Sequence, residues 1–319
     1  MQQTQLSIIL PVKNVEQVIE GILCFAADQT EKLEAEYIIV DMGSTDRTVL
    51  QAVQFIKSRK LHGFVIQNGD STAAAALNTG LQKACGDYVT FIFARRLYLN
   101  FVQGYYDTAL RTGADFVFGC ENEEEVRAAE RHMISRAIRH PGGQSVLRSL
   151  LEGAVRIDIS AVLISRIFLS EHNISFFESS RYGYSEEFLY RCLLAAGQTV
   201  QSPTLIRRNG VFELKRGKLK PAGEAIFQRA EAILRVLDVV RASGGDTELI
   251  RLLEKRKLPE ILMDCVDVLL REGNDCGTVK RCLRDFGYDR YLSPTREMNR
   301  GLIKKILVWK TAPWLYVPR

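Results

Sequence analysis

The chain lacks several features that would each have pointed to a class. Its seven cysteines contain no C-x-x-C pair and are odd in number, which excludes a simple disulfide frame or zinc site and fits reduced thiols. Cys276 and Cys282, the closest pair, match no common metal spacing, and His132 and His140 have no companion at such a spacing. No G-x-G-x-x-G follows the first predicted strand, which leaves a nicotinamide-binding reading weak. The opening MQQTQLSIIL has no basic n-region or cleavage site, and no apolar run reaches membrane-spanning length. The expected location is therefore cytoplasmic. Internal repeats and low-complexity segments are missing too. A formal charge of +5 over 319 residues permits a phosphate-bearing partner or an anionic membrane, but it is too weak to argue for nucleic acid.

What is present is an ordinary globular composition, 46% hydrophobic and 25% charged. Short apolar runs alternate with helical periodicity. Leu6–Val12 reads as a strand, Asn14 as the cap of a helix with Val15, Val18, Ile19, Ile22, Leu23 and Ala26 on one face, and Glu36–Asp41 as the next strand. Gly43-Ser44-Thr45-Asp46 turns into a helix through Val49, Val53 and Ile56, with Asp46 as its cap. Strand Phe64–Gln67 and the alanine-rich helix Ser71–Ala84 follow. The run Tyr88–Phe93 then predicts a buried strand ending at Arg95 and Arg96, and Phe116–Cys120 and Asp158–Ile164 supply further strands. Ile174–Phe177 is expected as an edge segment, and Tyr184–Gly197 as a helix with Glu186 and Glu187 in its first turn. Such alternation predicts an α/β fold, a mostly parallel sheet flanked by helices on both faces. In such sheets ligands bind beyond the carboxyl ends of the strands, which puts two fixed cations at a functional edge.

The segment from Glu121 to Glu152 is charged and reads as a solvated helix. Beyond Pro221 the pattern is helical throughout, so the expected division is a domain over 1–220 and a helical region over 221–319. The last stretch, Arg300–Arg319, pairs basic residues with both tryptophans of the chain. That mix fits a peripheral segment on the inner face of a membrane, and it equally fits a tail packed on its own domain.

Taken in order, LSIILPVKNVEQV, DQT with EYIIVDMGSTDRT, NGDSTAAAALNTGLQKACGDYVTFI and FFESSRYGYSEEFLYRCLLAAG resemble the motifs of the family 2 glycosyltransferases with the GT-A fold. The resemblance covers about the first two-thirds of the chain. It implies a GT-A-like domain that takes a nucleotide sugar and passes the sugar to a glycan or lipid-linked acceptor, as in polysaccharide biosynthesis. It also implies that Pro11, Asn14, Asp41, Met42, Ser44, Asn78, Ala94 and Arg96 line the donor site. The acidic pair Glu186-Glu187 falls where the family keeps its base.

Three departures stand out. Met42 replaces an aspartate that accepts a hydrogen bond from uracil, and Leu77 stands where an arginine is usual. Phe93-Ala94-Arg95 replaces the metal-binding Asp-x-Asp, leaving no oxygen donors for a hard divalent cation. No metal or other cofactor is therefore expected. Two readings stay open: a metal-independent enzyme in which Arg95, aided by Arg96, neutralises the leaving diphosphate while Glu187 serves as base with Glu186 beside it in the catalytic set, and a pseudoenzyme that keeps the fold as a binding or scaffolding module.

Overall fold

The computed structural model describes residues 4–134, 142–209 and 221–318. Their contacts form two compact units: the described residues of Met1–Leu150, Val155–Ser179 and Phe188–Arg216, and those of Leu151–Ala154, Ser180–Glu187 and Gly217–Arg319. The expected boundary at 220/221 abuts residues 210–220, which lie outside the described ones, as does His140.

The first unit is built on β1 (Leu6–Val12), β2 (Ala35–Asp41), β3 (Gly63–Gln67), β4 (Tyr88–Phe91), β5 (Leu97–Leu99), β6 (Phe116–Cys120), β7 (Val162–Ser165), β8 (Thr199–Leu205) and β9 (Arg207–Asn209). Seven of these form one sheet in the order β3-β2-β1-β4-β7-β6-β8, and β5 pairs with β9 in a separate two-stranded ribbon. Pairing is parallel from β3 through β4 and between β6 and β8, whereas β7 runs antiparallel to both neighbours. The sheet is thus mostly parallel, as the alternation implied. Helices α1 (Ile19–Gln29), α2 (Thr48–Arg59), α3 (Ala73–Lys83), α4 (Val102–Thr112), α5 (Glu123–Ile134), α6 (Gly143–Glu152), α7 (Arg166–Glu171) and α8 (Tyr184–Ala195) connect the strands.

Burial explains the sequence pattern. Leu6, Ile8, Leu10 and Val12 of β1, with Tyr37 and Ile39 of β2, face a core closed by Ile19, Ile22 and Leu23 of α1 and Tyr105 and Ala109 of α4. The opposite face receives α3, whose Gly80 is obligatory because a Cβ there would lie 2.4 Å from Cγ2 of Ile9. On that side Phe91, Phe176 and Phe188 form an aromatic cluster, the last two stacked at 3.8 Å between centroids. At the amino end of the strands, Glu36 is 2% exposed and its Oε1 accepts from Ser7 Oγ at 2.6 Å and from Cys85 N at 2.6 Å. That carboxylate fixes the turn leading into β4.

Four expectations differ from the structure, the first being Asp158–Ile164, where Ile159–Ala161 forms a 3-10 turn capped by Asp158 and the strand starts only at Val162. Asn14 does not cap α1; it sits at φ 50° in the left-handed region, and α1 starts five residues later with no side-chain cap. Ile174–Phe177 forms no strand, because Asn78 takes its backbone: Nδ2 donates to Phe176 O at 2.9 Å and Oδ1 accepts from Phe176 N at 2.8 Å. β4 ends at Phe91, two residues early, where Arg96 N closes a turn on Phe93 O at 2.8 Å. All seven cysteines are free.

The second unit packs α9 (Gln228–Ala242), α10 (Thr247–Leu252), α11 (Leu258–Arg271), α12 (Cys276–Asp285) and α13 (Arg300–Thr311), with a π-helical turn at Leu253–Lys257. Ile233, Val236 and Leu237 of α9 and Ile261, Leu262 and Val266 of α11 are fully buried. Among the described residues no helix is long and apolar enough to cross a membrane.

Candidate functional site

Register fixes one end of the first unit's sheet as the place where the expected donor residues gather. Pro11 lies opposite Val40 and Val12 opposite Asp41, while Ile9 lies opposite Phe91 on the other side of β1. Because all three strands run parallel, Pro11, Asp41 and the Phe93–Arg96 turn emerge at the same carboxyl edge. Asn14, Asp41 and Ser44 then knit the first two loops together. Asn14 N donates to Ser44 Oγ at 2.9 Å, and Asn14 Oδ1 accepts from Thr45 N at 2.8 Å. Asp41, 3% exposed, accepts from Gly43 N and Ser44 N, each at 3.2 Å. Met42 is half-buried beside it, its N–H bonded to Val12 O at 2.9 Å. The Asn14, Asp41 and Ser44 side chains are thus engaged in shaping the loops.

Gly43, at φ +78°, approaches Gly69 so closely that a Cβ would sit 3.1 Å from its carbonyl carbon. Asp46 stands one residue before the Arg47 cap position of α2, which has no side-chain cap bond, and ties the helix start from there: Oδ1 accepts from Thr48 N at 3.0 Å and from its hydroxyl at 2.6 Å. Asn78, 6% exposed, is occupied by Phe176 and by Glu178 Oε1 at 3.0 Å. It therefore holds the 176–178 segment against α3.

The cations are more available. Arg95 is exposed in the Phe93–Arg96 turn, and its guanidinium has no hydrogen-bond or ion-pair partner among the described residues. Arg96 is also exposed and reaches Asp158 Oδ2 at 3.5 Å, an acceptor shared with the Tyr98 hydroxyl at 3.1 Å. Burial, with Asp158 beside it, pushes the Tyr98 phenol up to about 12. Ala94 is half-buried between Phe93 and Arg95. The β5–β9 ribbon sets Arg208 opposite Tyr98, with Nη2 3.5 Å from Arg95 O, and Arg207 opposite Leu99. The sequence reading missed Arg207 and Arg208. Their signal was an adjacent arginine pair, but only the pairing of β5 with β9 brings it to this edge.

Phe93 and Ala94 offer no side-chain oxygen, and among the described residues no group of three or more His, Cys, Asp or Glu is placed to hold a metal ion. The donor set here does not fit a hard divalent cation.

The acidic pair belongs to the second unit. Glu187 is 3% exposed, and its two oxygens accept from Arg235 Nε at 2.9 Å and Nη2 at 2.7 Å in a two-pronged ion pair. The same guanidinium lies 3.4 Å from Ser180 Oγ. Glu186 Oε1 meets Lys257 Nζ at 3.0 Å. Gly183, at φ +79°, lets the start of α8 dock on α9, since a Cβ would come within 2.8 Å of Arg229 Cα. Arg235 carried no signal in the sequence, because it reads as one polar position of an amphipathic helix.

Sheet order, carboxyl-edge loops and flanking helices define a GT-A-like α/β fold. Residues 7–92 match the family described as glycosyl transferase family 2. An uncharacterized glycosyltransferase of Haemophilus influenzae is 36% identical over 93 residues, an alignment spanning 29% of this chain and 36% of that protein. Similar solved structures include residues 1–349 of TarS from S. aureus, with a TM-score of 0.58 at 17% identity, covering 85% of this chain and 73% of that one. Another is the mannosyltransferase PcManGT from Pyrobaculum calidifontis, in complex with GDP-Man and Mn2+. Its TM-score is 0.56 at 16% identity, covering 97% of this chain and 85% of that one. At these identities the structures speak for the fold.

Proposed function

We propose that the protein transfers a glycosyl group from a nucleotide-sugar donor to a hydroxyl of a glycan or lipid-linked acceptor, without a divalent cation. The observation that carries this reading is the exposed Arg95 guanidinium, unengaged among the described residues, at the carboxyl edge shared with Pro11 and Asp41. TarS has been crystallised with UDP-GlcNAc and PcManGT with GDP-Man, so a nucleotide sugar is the donor class that the fold supports. In this chain the departing diphosphate would meet guanidinium groups. Arginine suits that role because it stays charged and can grip two phosphate oxygens at once. Arg96 and Arg208 add charge around the same turn, and the loop backbone ordered by Asn14, Asp41 and Ser44 supplies the donor cradle, with Met42 beside it.

For proton removal from the acceptor, the resemblance offers Glu187 and Glu186. Glu187 would first have to release Arg235, whereas Glu186 meets Lys257 and is the less buried of the two. A carboxylate that holds a guanidinium on both oxygens has to give up part of that pairing to take a proton.

The engaged state of Glu187 favours a second reading, a pseudo-glycosyltransferase that binds a nucleotide or nucleotide sugar without turning it over. One experiment separates the two. Nucleotide sugars with uridine and guanosine bases are screened by thermal shift and by donor hydrolysis, each with manganese and with chelator. The enzyme reading expects stabilisation and slow hydrolysis, both indifferent to chelator, and loss of hydrolysis in Arg95→Ala. Stabilisation with no turnover across the panel selects the binding module. Chelator-sensitive turnover refutes metal independence.

A further inference from the structure

The carboxyl-terminal segment was expected either to pack on its own domain or to touch a membrane, and its geometry shows the packing. Tyr316 folds inward: it is 9% exposed, its ring packs edge-on against buried Trp309 at 5.5 Å, and its hydroxyl donates to Asp267 at 2.6 Å. Asp267 is itself 3% exposed and also takes Lys305 Nζ at 2.7 Å. Cys276 Sγ to Pro313 O at 3.4 Å and Lys280 Nζ to Lys310 O at 3.4 Å add further ties. A segment stapled in this way has no reason to expose its apolar residues, yet Trp314, Leu315 and Val317 are 76%, 67% and 79% exposed. These are the three most exposed large hydrophobic side chains among the described residues, and they lie within four positions of one another. They form a protruding knob rather than a groove.

The charge around the knob selects its occupant. Residues 276–318 hold nine Lys and Arg against three Asp and Glu, an excess larger than that of the whole chain. On α13, Arg300, Lys304 and Leu307 recur at three- and four-residue spacing along one exposed face, and exposed Lys310 precedes the knob. A tryptophan with aliphatic neighbours, flanked by lysines and arginines, matches the water–lipid boundary, where the indole sits at headgroup depth and cations meet anionic headgroups.

We propose that Trp314, Leu315 and Val317 form a prearranged wedge that inserts into the surface of an anionic lipid bilayer, with Arg300, Lys304 and Lys310 gripping its headgroups. The Tyr316–Asp267 staple holds the wedge in its inserting shape beforehand, so little ordering entropy is lost on binding. A single wedge of three side chains gives reversible attachment.

The test uses the full chain in flotation against vesicles of phosphatidylcholine alone or mixed with phosphatidylglycerol. The wild type is expected to float with the mixed vesicles and to be released by high salt. Its tryptophan emission should shift to the blue on binding, a shift that vanishes in Trp314→Phe because Trp309 is already buried. Trp314→Ala/Leu315→Ala/Val317→Ala should lower partitioning on the order of a hundredfold. Its exposed positions leave the melting temperature unchanged, so unfolding does not confuse the result. Lys304→Glu/Lys310→Glu should abolish the preference for the mixed vesicles. Three outcomes overturn the proposal: no flotation of the wild type, equal flotation of the apolar triple variant, or self-association of the wild type in sedimentation that the same variant removes.

Discussion

The carboxyl edge of the first unit and the acidic pair of the second invert each other. At the edge, the acids expected from the resemblance are replaced by Met42 and by Phe93-Ala94-Arg95, yet the replacement Arg95 is exposed and, among the described residues, unengaged. In the second unit both expected acids are retained, yet Glu187 is buried against Arg235 and Glu186 is paired with Lys257. A retained residue is therefore not the same as an available one. Chemistry depends on what occupies the lone pairs, and sequence identity does not report that.

The largest expected effect breaks the second half of this comparison. Arg235→Ala leaves a buried carboxylate with no cation and should cost about 3–5 kcal/mol in denaturant unfolding. The double variant Arg235→Met/Glu187→Leu should recover most of it. If Arg235→Ala instead costs nothing, the ion pair does not hold Glu187, and the base role regains its ground. Next in size is Arg95→Lys. Under the enzyme reading it should lower turnover on the order of a hundredfold, because a point charge cannot reproduce the fork. Near wild-type turnover in this variant would remove the two-oxygen grip. Asn78→Ala should destabilise by about 2 kcal/mol through loss of its buried bonds to Phe176 and Glu178, with nucleotide-induced stabilisation unchanged. A selective loss of nucleotide binding would instead make Asn78 a ligand contact.

The smallest effect is a pH dependence. Burial acts to raise the Asp46 carboxyl, but hydrogen bonds from the Thr48 hydroxyl, Thr48 N and Glu16 N outweigh it and hold the group below its ordinary 3.8. With a depressed folded value, its stabilisation is present above 3.8 and is lost as pH falls through the lower folded value. The urea midpoints of wild type and Asp46→Asn should therefore differ at neutral pH and converge in acid.

Much of the first unit could be read in advance. The alternation of apolar runs and helical periods located β1 to β4, β6 and their helices, because a sheet covered on both faces leaves an unambiguous pattern. Arg95 at the carboxyl edge followed from local chemistry, whereas Asp46 binds Thr48 at the start of α2 from one residue before the cap position. The rest depended on contacts distant in sequence. Asn78 takes the backbone of Phe176 and so removes a strand that local propensity favoured, and Asn14 serves the loop after β2 instead of its own helix. Arg208 reaches the edge through a ribbon joining residues 97–99 to 207–209. Arg235 finds Glu187 across 48 positions. No local pattern encodes such a partner.

The antiparallel strand β7 near the middle of the sheet also bears on the order of assembly. The strands β1 to β4 come from one uninterrupted stretch, and all their pairings can close once Phe91 has been made. On the other side, Phe116 must wait for Thr199 before β6 gains its parallel partner. A growing chain thus has the means to complete the half that carries Asp41 while the other half is still being synthesised, with the free edge of β4 exposed until Val162–Ser165 arrives to cover it. Chaperone capture of nascent chains should be strongest in that interval.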